Sequence, residues 1–450
     1  MKRFLFVLAG TVAGIIVVSS ALALEVPLKY ERFPDNARSF MPSGAVMVEN
    51  RTMKPPGELK LPELKSNYPL YSLAKIGDSE RLLVLDFKAE GDPFYNRLYF
   101  DSNGNNDLTD DKAVDGNTES PGQNYYYVSF PAVDAMIEVD GVSLPYSFRL
   151  EVSGQMTSGS GSQSAGAQNT RRSVSVILIS NCAYSATFQA GGRQYRAMLG
   201  DSNANGRFDE RLTMPPFMQS PMQVRQRIYA TGDQLFLTGG DGAFDYSDSQ
   251  LLGDFLLVNG KLFEIALSIA KLTLTLTEVT AGLAEVKIPM EVERLSLYTD
   301  DGKNCVNIYR PGAAVMIPAG TYKLLSYQVF HKDEQGDAWR VCASGTTSSP
   351  TVTAAQNSGS TLELGEPFTP VVDVHSSGGN SQSGNSQTPL NFSIEGIGKE
   401  LLTDVSHVSG DLSKIPLSKT RGRETRPEEP AYKIIKSDGE IVATGSFEYG

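Results

Sequence analysis

"KLTLTLTEV", Lys271 to Val279, alternates Leu272, Leu274 and Leu276 with Thr273, Thr275 and Thr277. Successive side chains of an extended strand point to opposite faces, so this period of two gives one buried apolar face and one wet hydroxyl face. A helix would scatter the same leucines around its axis. Outward from this run, helical periodicity is scarce and strand-like segments follow one another between short turns. Five of those turns carry a Gly dipeptide: Asp140-Gly141, Gly191-Gly192, Asn259-Gly260, Asp301-Gly302 and Asp438-Gly439. Such pairs supply the positive φ that tight hairpins need. The pattern predicts an all-β fold of antiparallel meanders and sandwiches. A parallel α/β sheet would need crossover helices, and no stretch reads as one.

The chain opens with "MKRFLFVLAGTVAGIIVVSSALA". Lys2 and Arg3 give a positive start, Phe4 to Val18 is apolar but short for a span, and Ala21-Leu22-Ala23 has the small residues of a cleavage site. This reads as a secretory signal peptide cut after Ala23, with a retained membrane anchor as the alternative. No Cys follows the apolar run, which argues against a lipid anchor. No later segment is long and apolar enough to cross a bilayer. The expected location is secreted or periplasmic. Loss of Lys2 and Arg3 takes the formal charge from −12 to −14. An acidic chain repels nucleic acid and anionic lipid and suits divalent cations. Three Cys are too few for a disulfide framework. Cys305 and Cys342 share the C-terminal region and could pair. Cys182, in the apolar run "SVILISNCAYS", reads as a buried thiol.

At this length two or three domains are expected. The clearest boundary lies near Glu285 to Pro289, giving a β-rich region over 24–287, with 24–130 and 131–287 as candidate subdomains, and a β-sandwich over 288–450. Two Gly/Ser tracts, Ser153 to Arg172 and His375 to Pro389, are flanked on both sides by strand patterns. They read as long insertions at hairpin tips, which cost little, with inter-domain linkers as the alternative.

The chemistry lies in two stretches, "RLYFDSNGNNDLTDD" (Arg97 to Asp111) and "YRAMLGDSNANGRFDER" (Tyr195 to Arg211). Calcium takes six to eight oxygens at about 2.3–2.6 Å, and a short loop can wrap it if oxygens project inward at alternate positions. Asp201, Asn203 and Asn205 have that spacing. Gly206 allows the sharp turn, the Arg207 carbonyl supplies a further oxygen, Phe208 anchors the loop to the core, and Asp209 and Glu210 are candidate closing carboxylates. In the first loop Asp101, Asn103 and Asn105 fill the same places. Asp107 stands where Arg207 does, Leu108 replaces Phe208, and Asp110 and Asp111 are the closing acids. Asn106 replaces the Gly, and Asn tolerates positive φ better than most residues. The bland alternative is that Asp, Asn and Gly simply make good turns; two copies, each directly after an apolar strand, weigh against it. A third stretch, Asp233 to Asp248, repeats the strand and an Asp241-Gly242 turn. It has Leu237 and Gly239 at the ligand places and reads as a copy without metal.

Over their first half these loops resemble the calcium loops of EF-hands and dockerins, as D-x-N-x-N-G-x-apolar and D-x-N-x-N-N-x-apolar. They depart at position twelve, where Lys112 and Leu212 stand in place of the closing Glu, and in their strand-like flanks. The resemblance therefore implies one or two weak structural Ca²⁺ sites, typically about 10⁻⁴–10⁻³ M for extracellular modules, and not a calcium sensor. The span Tyr68 to Thr280 also resembles secreted bacterial proteins, uncharacterised in activity, that carry D-x-N-x-N-G loops between strands. "PAGTYKL" (Pro318 to Leu324) followed by "LELGEP" (Leu362 to Pro367) resembles the immunoglobulin-like and transthyretin-like modules of exported bacterial proteins.

No G-x-S-x-G elbow, P-loop or H-E-x-x-H is present. His331, His375 and His407 read as solvent-facing. Tyr125-Tyr126-Tyr127 begins a strand pattern, with sugar stacking as the alternative. "MPPFMQSPMQVRQR" (Met214 to Arg227) reads as a loop packed over the second site or as a partner-binding segment. The functional expectation is a calcium-stabilised binding or structural protein, partnered by polysaccharide or another surface protein. A carbohydrate-active hydrolase with a carboxylate pair is the alternative.

Overall fold

The computed structural model describes residues 23–35, 44–49, 51–122, 125–155, 174–214, 226–374, 390–408 and 427–447, apart from 241, 243, 245–247, 335, 357–358 and 428. The expected leader up to Leu22, most of the two Gly/Ser tracts, His375 and most of the Met/Pro segment lie outside the described residues. Strands, numbered β1 to β32 along the chain, account for the regular structure, with no α-helix among the described residues. The fold is all-β.

The alternating run at Lys271 to Val279 becomes β19 (Thr273–Glu278). Leu274 and Leu276 are buried, while the threonines between them are half-buried. β19 lies between β1 (Ala23–Pro27) and β18 (Lys261–Ser268), antiparallel to both. All five Gly dipeptides fall between consecutive paired strands. Asp140-Gly141, for example, joins β10 (Val133–Val139) to β11 (Val142–Gln155), with φ of 50° and 76°.

Four sheets surround the larger core. β4 (Leu70–Ile76), β5 (Ser79–Asp86), β6 (Arg97–Phe100) and β7 (Val114–Asp115) form an antiparallel meander. A second sheet is built on β11, which pairs with β9 (Tyr125–Ser129), β10 and β12 (Val174–Ser180). Tyr125 to Tyr127 thus open a strand, as expected. A third sheet contains β13 (Cys182–Ala190), β14 (Arg193–Gly200) and β15 (Gln234–Gly239). Their inward rows, with β1, β18 and β19 of the longest sheet, meet in one cluster. It contains Leu83, Leu98, Phe148, Leu199, Phe208 and Leu276, each at most 2 % exposed.

The strands on either side of each Gly/Ser tract pair with each other. β11 pairs antiparallel with β12, Gly154 facing Val174. β28 (Thr369–Val374) pairs antiparallel with β29 (Leu390–Glu395), Val374 facing Leu390.

The longest sheet has twelve strands and runs across the expected boundary after Lys287. Its β17 (Phe255–Val258) pairs parallel with β22 (Cys305–Tyr309), beyond that point. Likewise β20 (Leu283–Lys287) pairs with β23 (Ala314–Pro318) and β27 (Ser360–Thr361). Pro289 ends a strand without parting two sheets. Among the named strands, the parallel pairings of β17 with β22 and of β20 with β27 are the departures from the antiparallel pattern. In the C-terminal part, β20 and β23 face β21 (Arg294–Thr299), β22 and β24 (Gly320–Lys332), closing a second core around Val286, Leu297, Ile308 and Ile317.

The three cysteines form no disulfide, which decides against a Cys305–Cys342 bridge. Cys305 is wholly buried beside Leu325 and Tyr298, while Cys342 lies on β25 (Ala338–Ser344). Cys182 is buried, as expected, and its thiol donates to Ser147 O at 3.4 Å.

Candidate functional site

Each loop begins where an apolar strand ends. β6 delivers Asp101 and β14 delivers Asp201, at 1 % and 0 % exposure. An ionised carboxylate in such a place must be compensated, and the loops supply the donors themselves. Asp101 Oδ1 accepts from Gly104 N at 2.6 Å and Asn105 N at 3.1 Å, and Oδ2 from Asn106 N at 3.0 Å. Asp201 Oδ1 accepts from Asn205 N at 3.2 Å. Its Oδ2 accepts from Gly206 N and from the Tyr146 hydroxyl, both at 2.8 Å. Burial still pushes the Asp201 carboxyl up to about 6, these donors opposing the rise.

Further round, the two loops repeat each other position for position. Asn103 Nδ2 and Asn105 Nδ2 donate to the same oxygen, Asp110 Oδ2, at 3.3 and 2.8 Å. Asn203 Nδ2 and Asn205 Nδ2 donate to the two oxygens of Glu210, at 2.8 and 3.0 Å. So the side chains at positions three, five and ten converge in both. The turn geometry matches as well. Asn106 and Gly206 have φ of 61° and 82°, and Gly104 and Ala204 have 77° and 54°. The left-handed turn expected at Asn106 is present. That at Ala204 has no sequence signal, because Ala gives no hint of positive φ. Leu108 and Phe208 are buried as anchors, Phe208 meeting Tyr184 edge-on at 4.9 Å.

The remaining candidates are placed differently. Asp107 turns to Lys60 at 2.8 Å; hydrogen bonds from Lys60 and Thr109 hold its carboxyl down to about 2. Asp209 pairs with the Arg207 guanidinium at 3.3 Å, while the same guanidinium reaches Asp78 at 3.3 Å and Asp140 at 3.1 Å. Arg207 thereby ties the second loop to the β4–β5 and β10–β11 turns. Asn205 O accepts from Gly77 N there at 2.6 Å.

Asp111 takes a role of its own. Ser102 N donates to Asp111 Oδ1 at 3.2 Å, and Asp111 Oδ2 is buried with no hydrogen-bond partner. Burial raises this carboxyl. In the second loop the matching acid comes from outside it. Asp233, fully buried just before β15, accepts from Ser202 N at 3.0 Å and Glu210 N at 2.8 Å. Burial, with the Asp201 and Glu210 charges nearby, pushes its carboxyl up to about 8. Sequence reading placed Asp233 in a copy without metal. The signal that could have found it is an Asp directly before an apolar strand, where it is buried by the strand it precedes. The turn of that third stretch falls partly outside the described residues, since 241, 243 and 245–247 are not described.

Each loop therefore converges two Asn side-chain amides on one acid above a buried Asp, and in the first loop the buried Asp111 Oδ2 has no hydrogen-bond partner. Among the described residues no three His, Cys, Asp or Glu are grouped about one point; the repeated set is two Asn and one acid, with the buried Asp behind. His331 is exposed near Glu366, and His407 is half-buried against Trp339. Comparison with known proteins gives no match to a family profile, a curated protein or a solved structure.

Proposed function

We propose that the Asp101 and Asp201 loops each hold one calcium ion, and that the protein is a secreted or periplasmic binding or structural protein stiffened by them, with a polysaccharide or another surface protein as its partner. The observation that carries this reading is the repeated convergence of positions three, five and ten on one point in two loops a hundred residues apart. With the Asn amides turned oxygen-inward, the set would be oxygen-only, which suits a hard cation. The partnerless buried oxygen of Asp111 is an anionic atom in need of a positive charge. The amides of Asn103 and Asn203 can turn their oxygens inward at little cost. Asn105 N and Asn205 N, which donate to those oxygens, also reach Asp101 and Asp201. Asp101, Asn103, Asn105, Asp110 and Asp111 would hold the first ion. Asp201, Asn203, Asn205 and Glu210 would hold the second, with Asp233 fixing the loop end.

Calcium bound to the folded chain stabilises by mass action, about 2.7 kcal/mol for each site at a hundredfold excess over Kd. Calorimetric titration of the mature protein is expected to show uptake of two equivalents and a melting temperature that chelator lowers. Asp101→Ala and Asp201→Ala should each remove one equivalent. If the mature protein takes up no calcium and melts unchanged with chelator, the loops are turns alone.

A further inference from the structure

The C-terminal end of the long sheet is split. β29 and β30 (Leu401–Val408) are joined by the turn Gly396 to Glu400, closed by Gly396 N donating to Glu400 O at 2.9 Å. The two strands pair at one position only, Glu395 with Leu401. Beyond it they diverge, although β30 stays paired to β25 along its whole length and β29 to β28. Two strand edges thus face each other with no strand between them among the described residues. The gap opens into a groove of about 1500 Å³. Asn391 and Phe392 line one wall, Thr403 and Asp404 the other, and Val341 and Trp339 of β25 are part of the lining.

We propose that this gap receives an extended polypeptide strand from a partner protein, one flanked by basic residues and paired through its backbone to the open edges. Unpaired edges offer rows of N–H and C=O groups that only another strand satisfies in register. The five residues Leu390 to Ile394 present roughly 17 Å of edge. Charge selects the partner. Glu291, Glu366 and Asp404 line the groove, and no Lys or Arg is among its described lining residues. A second copy of this acidic chain would bring like charge to the same rim. A glycan would need open ring faces. Here Phe392 stacks on Phe447 at 5.1 Å, and Tyr432 packs on Phe447 at 5.0 Å.

The test uses the full mature protein with a library of dodecapeptides, alternating Val, Ile and Thr with Ser or Gln and ending in Lys or Arg. Peptides that bind are expected to slow amide exchange across 391–394 and 402–407. Glu291→Lys with Glu366→Lys, both exposed positions, should melt as the unaltered protein does and weaken the same peptides at least tenfold. The proposal is overturned if the library yields no binder, or if the binders leave those amides unprotected. It is also overturned if they bind the double variant equally well, or if a glycan array or self-association claims the groove instead. Calcium uptake is measured on the same samples, so failure at the groove is separable from failure at the loops.

Discussion

At the scale of single residues, the second loop is held by conformations that few side chains accept. Gly206 has φ of 82°, and a Cβ there would lie 2.5 Å from Ile137 Cδ1 and 3.1 Å from both Gly77 N and Ile76 Cγ2. Backbone strain and overpacking act together, so Gly206→Ala is expected to cost about 2–4 kcal/mol, measured by urea unfolding with and without calcium. The thiols give a second expectation. Burial raises the Cys182 thiol to about 12 and pushes Cys305 up as well. A folded pKa above the unfolded value of about 8.5 favours the folded state while the thiol is protonated. That stability is full below pH 8.5 and is lost as pH rises toward 12. Iodoacetamide at pH 8 should therefore modify Cys342 in the native protein well before Cys182 or Cys305, as peptide mapping will record. Equal labelling of all three would contradict the burial.

At the scale of elements, the strand period and the Gly turns were legible, because each is a local property. Leu274 and Leu276 had to face inward once the chain was extended, and Asn259-Gly260 had to turn. The loops were legible over Asp101 to Asp110 and Asp201 to Glu210 for the same reason: their convergence follows from spacing along one short segment. Asp233 was not, since its partners Ser202 and Glu210 are 31 and 23 residues away. No local pattern encodes such a distance. The pairing of Asp209 with Arg207 was not legible, because adjacency to Glu210 says nothing of the guanidinium two residues back. The Gly/Ser tract between β11 and β12 carries its own prediction. Replacing residues 156–173 by Asn-Gly shortens the connection about ninefold, which lowers loop-closure entropy by roughly 2 kcal/mol. The melting temperature should stay level or rise; a fall of several degrees would mean that the tract contributes contacts.

At the scale of the whole molecule, the sheet that continues across residue 287 makes the two halves depend on each other. A fragment of residues 288–450 lacks β17 and β20, leaving β22 and β23 with open edges and the second core without Val286 and Leu257. Such a fragment is expected to be unfolded or aggregated by circular dichroism and size exclusion. The full mature chain should unfold without a separately stable C-terminal step in calorimetry. A well-folded 288–450 fragment would restore the boundary read from sequence. That boundary was read from the local interruption at Pro289, whereas the pairing of Phe255 with Val306 is set by packing at long range.

The sole tryptophan, Trp339, stands in the wall of the split sheet with its indole N–H on Asp333 at 2.8 Å. Indole emission from this molecule therefore has a single origin, and a change in it when a peptide is added is read at the C-terminal gap without attaching a dye.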